Sequence, residues 1–212
     1  MDFRTLVKDF SESPISRHLI LELLREYKRP NDKISELIKS GKLISIRRGL
    51  YTVGSKMDLP TPEPFLIANH LRGPSYVSLE SALSYWNMVP ERVFEISSVT
   101  TKTSKLYKTK AGRFSYKSLK TPYYSYGIKN IKLSVKQSIL IASREKAVLD
   151  KVILTPRIHL RSIKQTKELL LEDLRLDVDE LRSLDSIAME SWIEDAPKKN
   201  SLKMLVETLR AL

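Results

Sequence analysis

PNDKISELIKSGKLISIRRGLYTVG, residues 30–54, decides the reading of the N-terminal part of the chain. Pro30 lacks the N–H that a helix interior needs, and Asn31 is a good N-cap, so a helix is expected to start here. Ile34, Leu37 and Ile38 then fall on one helical face. Gly41 stands where a left-handed residue closes a helix. Beyond it, Leu43, Ser45 and Arg47 alternate with Ile44, Ile46 and Arg48, Gly49 turns the chain, and Leu50-Tyr51-Thr52-Val53 returns. This pattern predicts a small hairpin with two arginines at its tip.

Upstream, residues 15–27 (ISRHLILELLREY) place Leu19, Ile20, Leu23, Leu24 and Tyr27 at amphipathic helical spacing, and residues 2–10 suggest a shorter helix before them. Helix, Pro-bounded turn, helix and basic-tipped hairpin make the layout of a winged helix-turn-helix. In that layout the second helix enters a major groove, N-terminal residues foremost. Arg29, Asn31, Lys33 and Ser35 are placed for this role, with Lys39 for a backbone phosphate. Arg47 and Arg48 would meet the flanking minor groove or phosphates, on a ribbon free to grip duplex DNA. A winged helix used only for protein contacts is the competing reading. Its second helix would carry fewer basic residues.

Working outward, 37 Lys and Arg against 25 Asp and Glu leave the 212-residue chain at +12. Residues 1–58 contribute +4, residues 59–155 contribute +9 and residues 156–212 contribute −1. Residues 96–144 hold eleven basic and no acidic side chains. Lys102, Lys105, Lys108, Lys110, Arg113 and Lys117 would form a second basic surface there, facing a polyanion or merely solvent. A hydrophobic share of 42% excludes wholesale disorder. The absence of cysteine excludes a disulfide scaffold, thiol catalysis and Cys-ligated metal sites. No apolar run is long enough for a membrane helix and the N-terminus has no apolar signal core, so a cytoplasmic protein with no membrane partner is expected.

The segment SKMDLPTPEP, residues 55–64, forbids regular structure through its prolines. The expected organisation is therefore a DNA-binding unit over residues 1–56, a linker over 57–64 and a second domain over 65–212. That domain reads as α+β: a helix from Pro64 or Phe65, a helix after Ser78, strands over 94–101, 113–116, 128–135 and 138–142, and a helix capped by Ser143. A mainly antiparallel sheet follows from this, and helices near 164–176, 177–194 and 201–212 form a C-terminal cluster.

Certain stretches look familiar in combination: Arg48-Gly49-Leu50-Tyr51, the Pro-rich joint, Tyr76-Val77-Ser78-Leu79-Glu80-Ser81-Ala82-Leu83, Gly112-Arg113-Phe114, and Ile141-Ala142-Ser143-Arg144-Glu145-Lys146-Ala147-Val148-Leu149-Asp150. In this order the chain resembles the AbiEi-type antitoxins of bacterial type IV abortive-infection toxin–antitoxin systems, from about Arg29 to the C-terminus. It departs from them in having Ser143-Arg144 where a proline is common. The resemblance implies an autorepressor that binds operator repeats in its own promoter through the winged helix. It also implies a C-terminal domain that counteracts a nucleotidyltransferase-like toxin, without requiring a stable complex. On the same ground Asn31, Lys33, Lys39, Arg47 and Arg48 would carry DNA contact, while Tyr51 packs the wing.

No enzymatic constellation emerges. A nucleotidyltransferase would need Gly-Ser followed closely by Asp-x-Asp, but Gly54-Ser55 has only Asp58 after it, and Asp177-x-Asp179 reads as an acidic helix start. His18, His70 and His159 lack partners at metal-ligand spacing, so no metal or cofactor is expected. Glu145 and Lys146 diverge on their helix, with Asp150 one turn on, which favours a structural role. Two other functions remain open: a protein-interaction module that neutralises a toxin through the basic middle segment without DNA, and a nucleic-acid-processing enzyme. A monomer fits the sequence, which does not fix the oligomeric state.

Overall fold

The computed structural model describes residues 2–90 and 93–212. The chain begins with α1 (Phe3–Val7) and then departs from the single helix expected over residues 15–27. Ile15–Ser16 form a short strand, β1, paired with Tyr51 and Leu50, and the helix proper is α2 (Arg17–Leu23). The Ser16 hydroxyl accepts from the Leu19 N–H at 3.2 Å, so this serine caps the helix and frees Ile15 to extend. α3 spans Pro30–Lys39. Its N-cap is Arg29 and not Asn31, because the fixed φ of proline suits the first helical position.

β2 (Leu43–Arg47) and β3 (Leu50–Val53) make the expected hairpin, with Gly49 at φ +82° in its turn. The three strands form a sheet in the order β1-β3-β2, antiparallel throughout. Its apolar core joins Phe3, Val7, Ile20, Leu24, Ile34 and Leu37.

The segment over residues 57–64 is held at both ends. Arg4 donates to the carbonyls of Met57 (2.8 Å) and Asp58 (2.9 Å). The buried Gln137 amide accepts from the Glu63 N–H (2.7 Å) and donates to the Thr61 carbonyl (3.2 Å).

Beyond it come α4 (Pro64–Leu71), β4 (Ser75–Val77), α5 (Leu79–Tyr85), β5 (Glu95–Thr100), β6 (Lys105–Thr109), β7 (Gly112–Ser118), β8 (Ile128–Lys132), β9 (Ser138–Ala142) and α6 (Arg144–Leu154). The six strands lie in the order β6-β7-β5-β4-β9-β8. β5 runs parallel to β7 and β4 parallel to β9, and the other three pairings are antiparallel, so the sheet is mixed.

The C-terminus is helical: α7 (Ile163–Lys167) widening into a π-type segment over Glu168–Asp173, then α8 (Val178–Arg182), α9 (Ser186–Ser191) and α10 (Lys199–Arg210). The helix expected over 177–194 is broken because Asp185 turns its carboxylate onto the N–H groups of Ile187 and Ala188 and caps a new one. Among the described residues, no helix is long and apolar enough to cross a membrane.

The larger core lies around this second sheet, and two residues of the hairpin, Ile46 and Leu50, belong to it. The hairpin is thus built into the seam between the two sheets.

Candidate nucleic-acid interface

α3 presents Asn31, Ser35 and Lys39 along one exposed stripe, one turn apart, while Ile34 and Leu37 are buried behind them. The Ser35 hydroxyl donates to the Asn31 carbonyl at 3.1 Å. Two carboxylates stand on the adjoining stripe and engage the other predicted cations. Arg29 lies 3.8 Å from Asp32, and Lys33 lies 2.7 Å from Glu36 and over the Tyr27 ring. The hydrogen bond to Glu36, opposed by slight desolvation, raises the Lys33 pKa. Lys33 is therefore turned toward its own helix, and Lys39 is the cation of this face with no ion-pair partner among the described residues.

The hairpin does not project freely. β3 is buried along its length, and β2 abuts β6 of the larger sheet. The apolar face of the ribbon, through Ile46 and Leu50, fills the larger core, which fixes its position. Its tip stays accessible, with Arg47 and Arg48 both exposed.

One residue that the sequence did not single out ties this tip to α3. The Arg17 backbone N–H donates to the Gly49 carbonyl (2.9 Å), and its guanidinium donates to Asn31 Oδ1 (2.7 Å). Arg17, Asn31, Arg47 and Arg48 thus gather at one end of the unit. Nothing in the linear spacing signals this, since the two contacts span 14 and 32 residues.

The six residues read as a second basic surface do not share one face. Side chains directly opposite each other on paired strands point the same way. Lys108 opposes Arg113, and Lys117 is four residues further along β7, so these three share a face. Lys105 opposes Tyr116 and lies over the Tyr107 ring at 4.9 Å, on the face that carries α4 and the hairpin. There the buried Tyr116 hydroxyl donates to the Ala68 carbonyl at 2.6 Å. Its pKa is pushed up by burial and by Tyr107, with Arg72 and Arg47 acting the other way. Lys102 reaches the Gly73 carbonyl, Lys110 is exposed at the β6–β7 turn, and Arg113 pairs with Glu95 at 3.2 Å.

A third grouping lies in the interior. The Asp150 carboxylate accepts from the hydroxyls of Ser78 (2.8 Å), Tyr76 (2.9 Å) and Tyr123 (3.1 Å) and lies 3.3 Å from Lys146 Nζ. Lys146 also donates to the Tyr123 carbonyl at 2.8 Å. Both charged side chains are fully buried. Burial lowers the Lys146 pKa to about 8 against the opposing pull of Asp150. Burial likewise raises the Asp150 pKa, against Lys146 and the hydroxyl donors. Ser78 stands at the N-cap of α5, but its hydroxyl serves Asp150 and makes no cap bond. Two stretches quoted above, Tyr76–Leu83 and Ile141–Asp150, therefore meet in space. They meet in a sealed cluster that joins β4 to α6, not in an accessible site.

No family model matches the chain, and no curated protein is significantly similar to it. Its fold is similar to that of the RV2827C protein from Mycobacterium tuberculosis, with a TM-score of 0.63 over 97% of this chain and 76% of that one, at 14% identity. At that identity the likeness concerns the fold alone.

Proposed function

We propose that the chain is a DNA-binding antitoxin and autorepressor of a bacterial type IV toxin–antitoxin operon, working in the cytoplasm. The N-terminal unit, read as a winged helix, binds operator repeats in its own promoter. The remainder counteracts a nucleotidyltransferase-like toxin. One observation carries the DNA reading: Arg17 bridges the hairpin tip to the start of α3, so Arg47, Arg48 and the Asn31-Ser35-Lys39 stripe address a single duplex. The element order helix, strand, two helices and hairpin, with sheet order β1-β3-β2, supports the same reading. The antitoxin assignment draws on the whole-chain resemblance.

A gel shift with the DNA upstream of the chain's own gene tests the proposal. The intact chain is expected to retard that fragment in preference to an unrelated one. Unchanged specific affinity in the R47A/R48A double variant contradicts a DNA role for the hairpin.

A further inference from the structure

The face of the larger sheet that carries Lys108, Arg113 and Lys117 lies opposite the hairpin and borders a cleft of about 1170 Å³. α5 and α6 wall one side of it and leave the outer strands β7 and β6 open, so Leu106 on β6 remains 47% exposed. Small-ligand sites run to roughly 1000 Å³, so the volume suits a ligand at the large end of that class, partly in contact with solvent.

The chemistry of the cleft is divided. On the floor, Arg113, Ser115 and Lys117 point the same way along β7, two cations about 13 Å apart along the strand with a hydroxyl between them, Arg113 being paired with Glu95. On the wall, Leu154 and Leu174, both partly exposed, present an apolar surface over the buried Leu83. Between floor and wall stands Glu80, paired with Lys151. Burial alone would push the Glu80 carboxyl up, but the bond from Lys151, its own backbone and the charge of Lys117 outweigh that and hold it low. Glu80 is thus an ionised acceptor beside the cations.

Leu79, also in the wall, has a left-handed φ of +54°, an unfavourable conformation for leucine. It is held by a serine network: Ser97 Oγ donates to the Ser78 carbonyl (2.7 Å), and the Ser97 N–H donates to Ser81 Oγ (2.8 Å). Strain imposed in this way concentrates at ligand sites.

From this division we infer that the cleft binds a nucleoside triphosphate, its phosphates reached by the long side chains of Arg113 and Lys117 and its base against Leu154 and Leu174, with Glu80 accepting from base or ribose. Cations for the phosphates, an apolar wall for the base and a carboxylate acceptor are all present in one cleft. The site is independent of the DNA-binding reading, because it occupies the opposite face of β7 from the hairpin.

Calorimetric titration of the full chain with ATP, GTP, CTP, UTP and inorganic tripolyphosphate tests it. At least one nucleotide is expected to bind tenfold or more tighter than tripolyphosphate. Lys117→Glu removes a charge-assisted bond and should weaken that nucleotide by about tenfold or more. Leu154→Asn, at a half-exposed position, should weaken the nucleotide and leave tripolyphosphate unchanged. Lys129→Glu, on the far strand β8, should change neither. Duplex DNA binding is expected to survive Lys117→Glu, so the cleft and the DNA interface can fail separately. Nucleotides that bind no tighter than tripolyphosphate, or a Lys117→Glu chain with undiminished nucleotide affinity, overturn the assignment.

Discussion

Lys146 and Asp150, one helical turn apart on α6, form a fully buried ion pair. Their burial is a cost that the surrounding hydroxyls and carbonyl offset. Removing one partner leaves the other charge buried and uncompensated, so Lys146→Met should destabilise the chain by about 3–5 kcal/mol in chemical denaturation. A loss under 1 kcal/mol would mean that Asp150 does not need the ammonium. The pH dependence has a definite sign. With Lys146 at about 8 when folded and 10.5 when unfolded, the folded state holds fewer protons between those values. The contribution of Lys146 to stability therefore rises as pH climbs through that interval, and below it the cost of burying the charge is felt in full. The wild-type chain should show this rise relative to Lys146→Met.

Gly127 covers the same cluster. Its φ is +61°, and an added Cβ would meet Lys146 Cβ and the Trp192 ring at 2.8 Å. Gly127→Ala combines a left-handed conformation with a clash and should cost about 2 kcal/mol or more. An unchanged denaturation midpoint would contradict this packing.

Among the elements, α3 and the hairpin carry the function proposed. Lys39→Ala should weaken binding to all duplexes alike and reduce the salt slope of log K by about 1, as expected for one lost phosphate contact. Loss of discrimination at one operator position, with the salt slope unchanged, would assign Lys39 to a base edge instead. The apolar periodicity around Ile34 and Leu37, and the Arg48-Gly49 turn, made α3 and the hairpin legible in the sequence. Strand β6 was not, because Lys105 and Lys108 sit in its alternation and Leu106 is exposed, so no buried stripe marks it. The break between β1 and α2 was hidden because Ile15 fits a helical face as well as a strand, and only its pairing with Tyr51 decides. Of the proposed interface, the exposure of Arg47 and Arg48 at the hairpin tip and the α3 stripe follow from the sequence pattern. Arg17 could not, since its role arises from two contacts distant in sequence.

Across the whole molecule, the pleat divides the cations of β6 and β7 between two faces, Lys105 beside the hairpin and Lys108, Arg113 and Lys117 beside the cleft. The hairpin links the two sheets, because Leu50 pairs with Ser16 and Arg47 in the small sheet while lying in the larger core. The chain should therefore unfold in one calorimetric transition, and Leu50→Ala should lower its midpoint without splitting it, at a cost of about 2–4 kcal/mol. Two resolved transitions in the wild-type chain would mean that the N-terminal unit is only tethered.

The most direct test of the regulatory account is fluorescence anisotropy of the full chain on two labelled duplexes at a stated salt concentration, one from upstream of its own gene and one of the same composition scrambled. Specific recognition predicts binding to the native duplex about a thousandfold tighter than to the scrambled one. Equal affinity for both would contradict it.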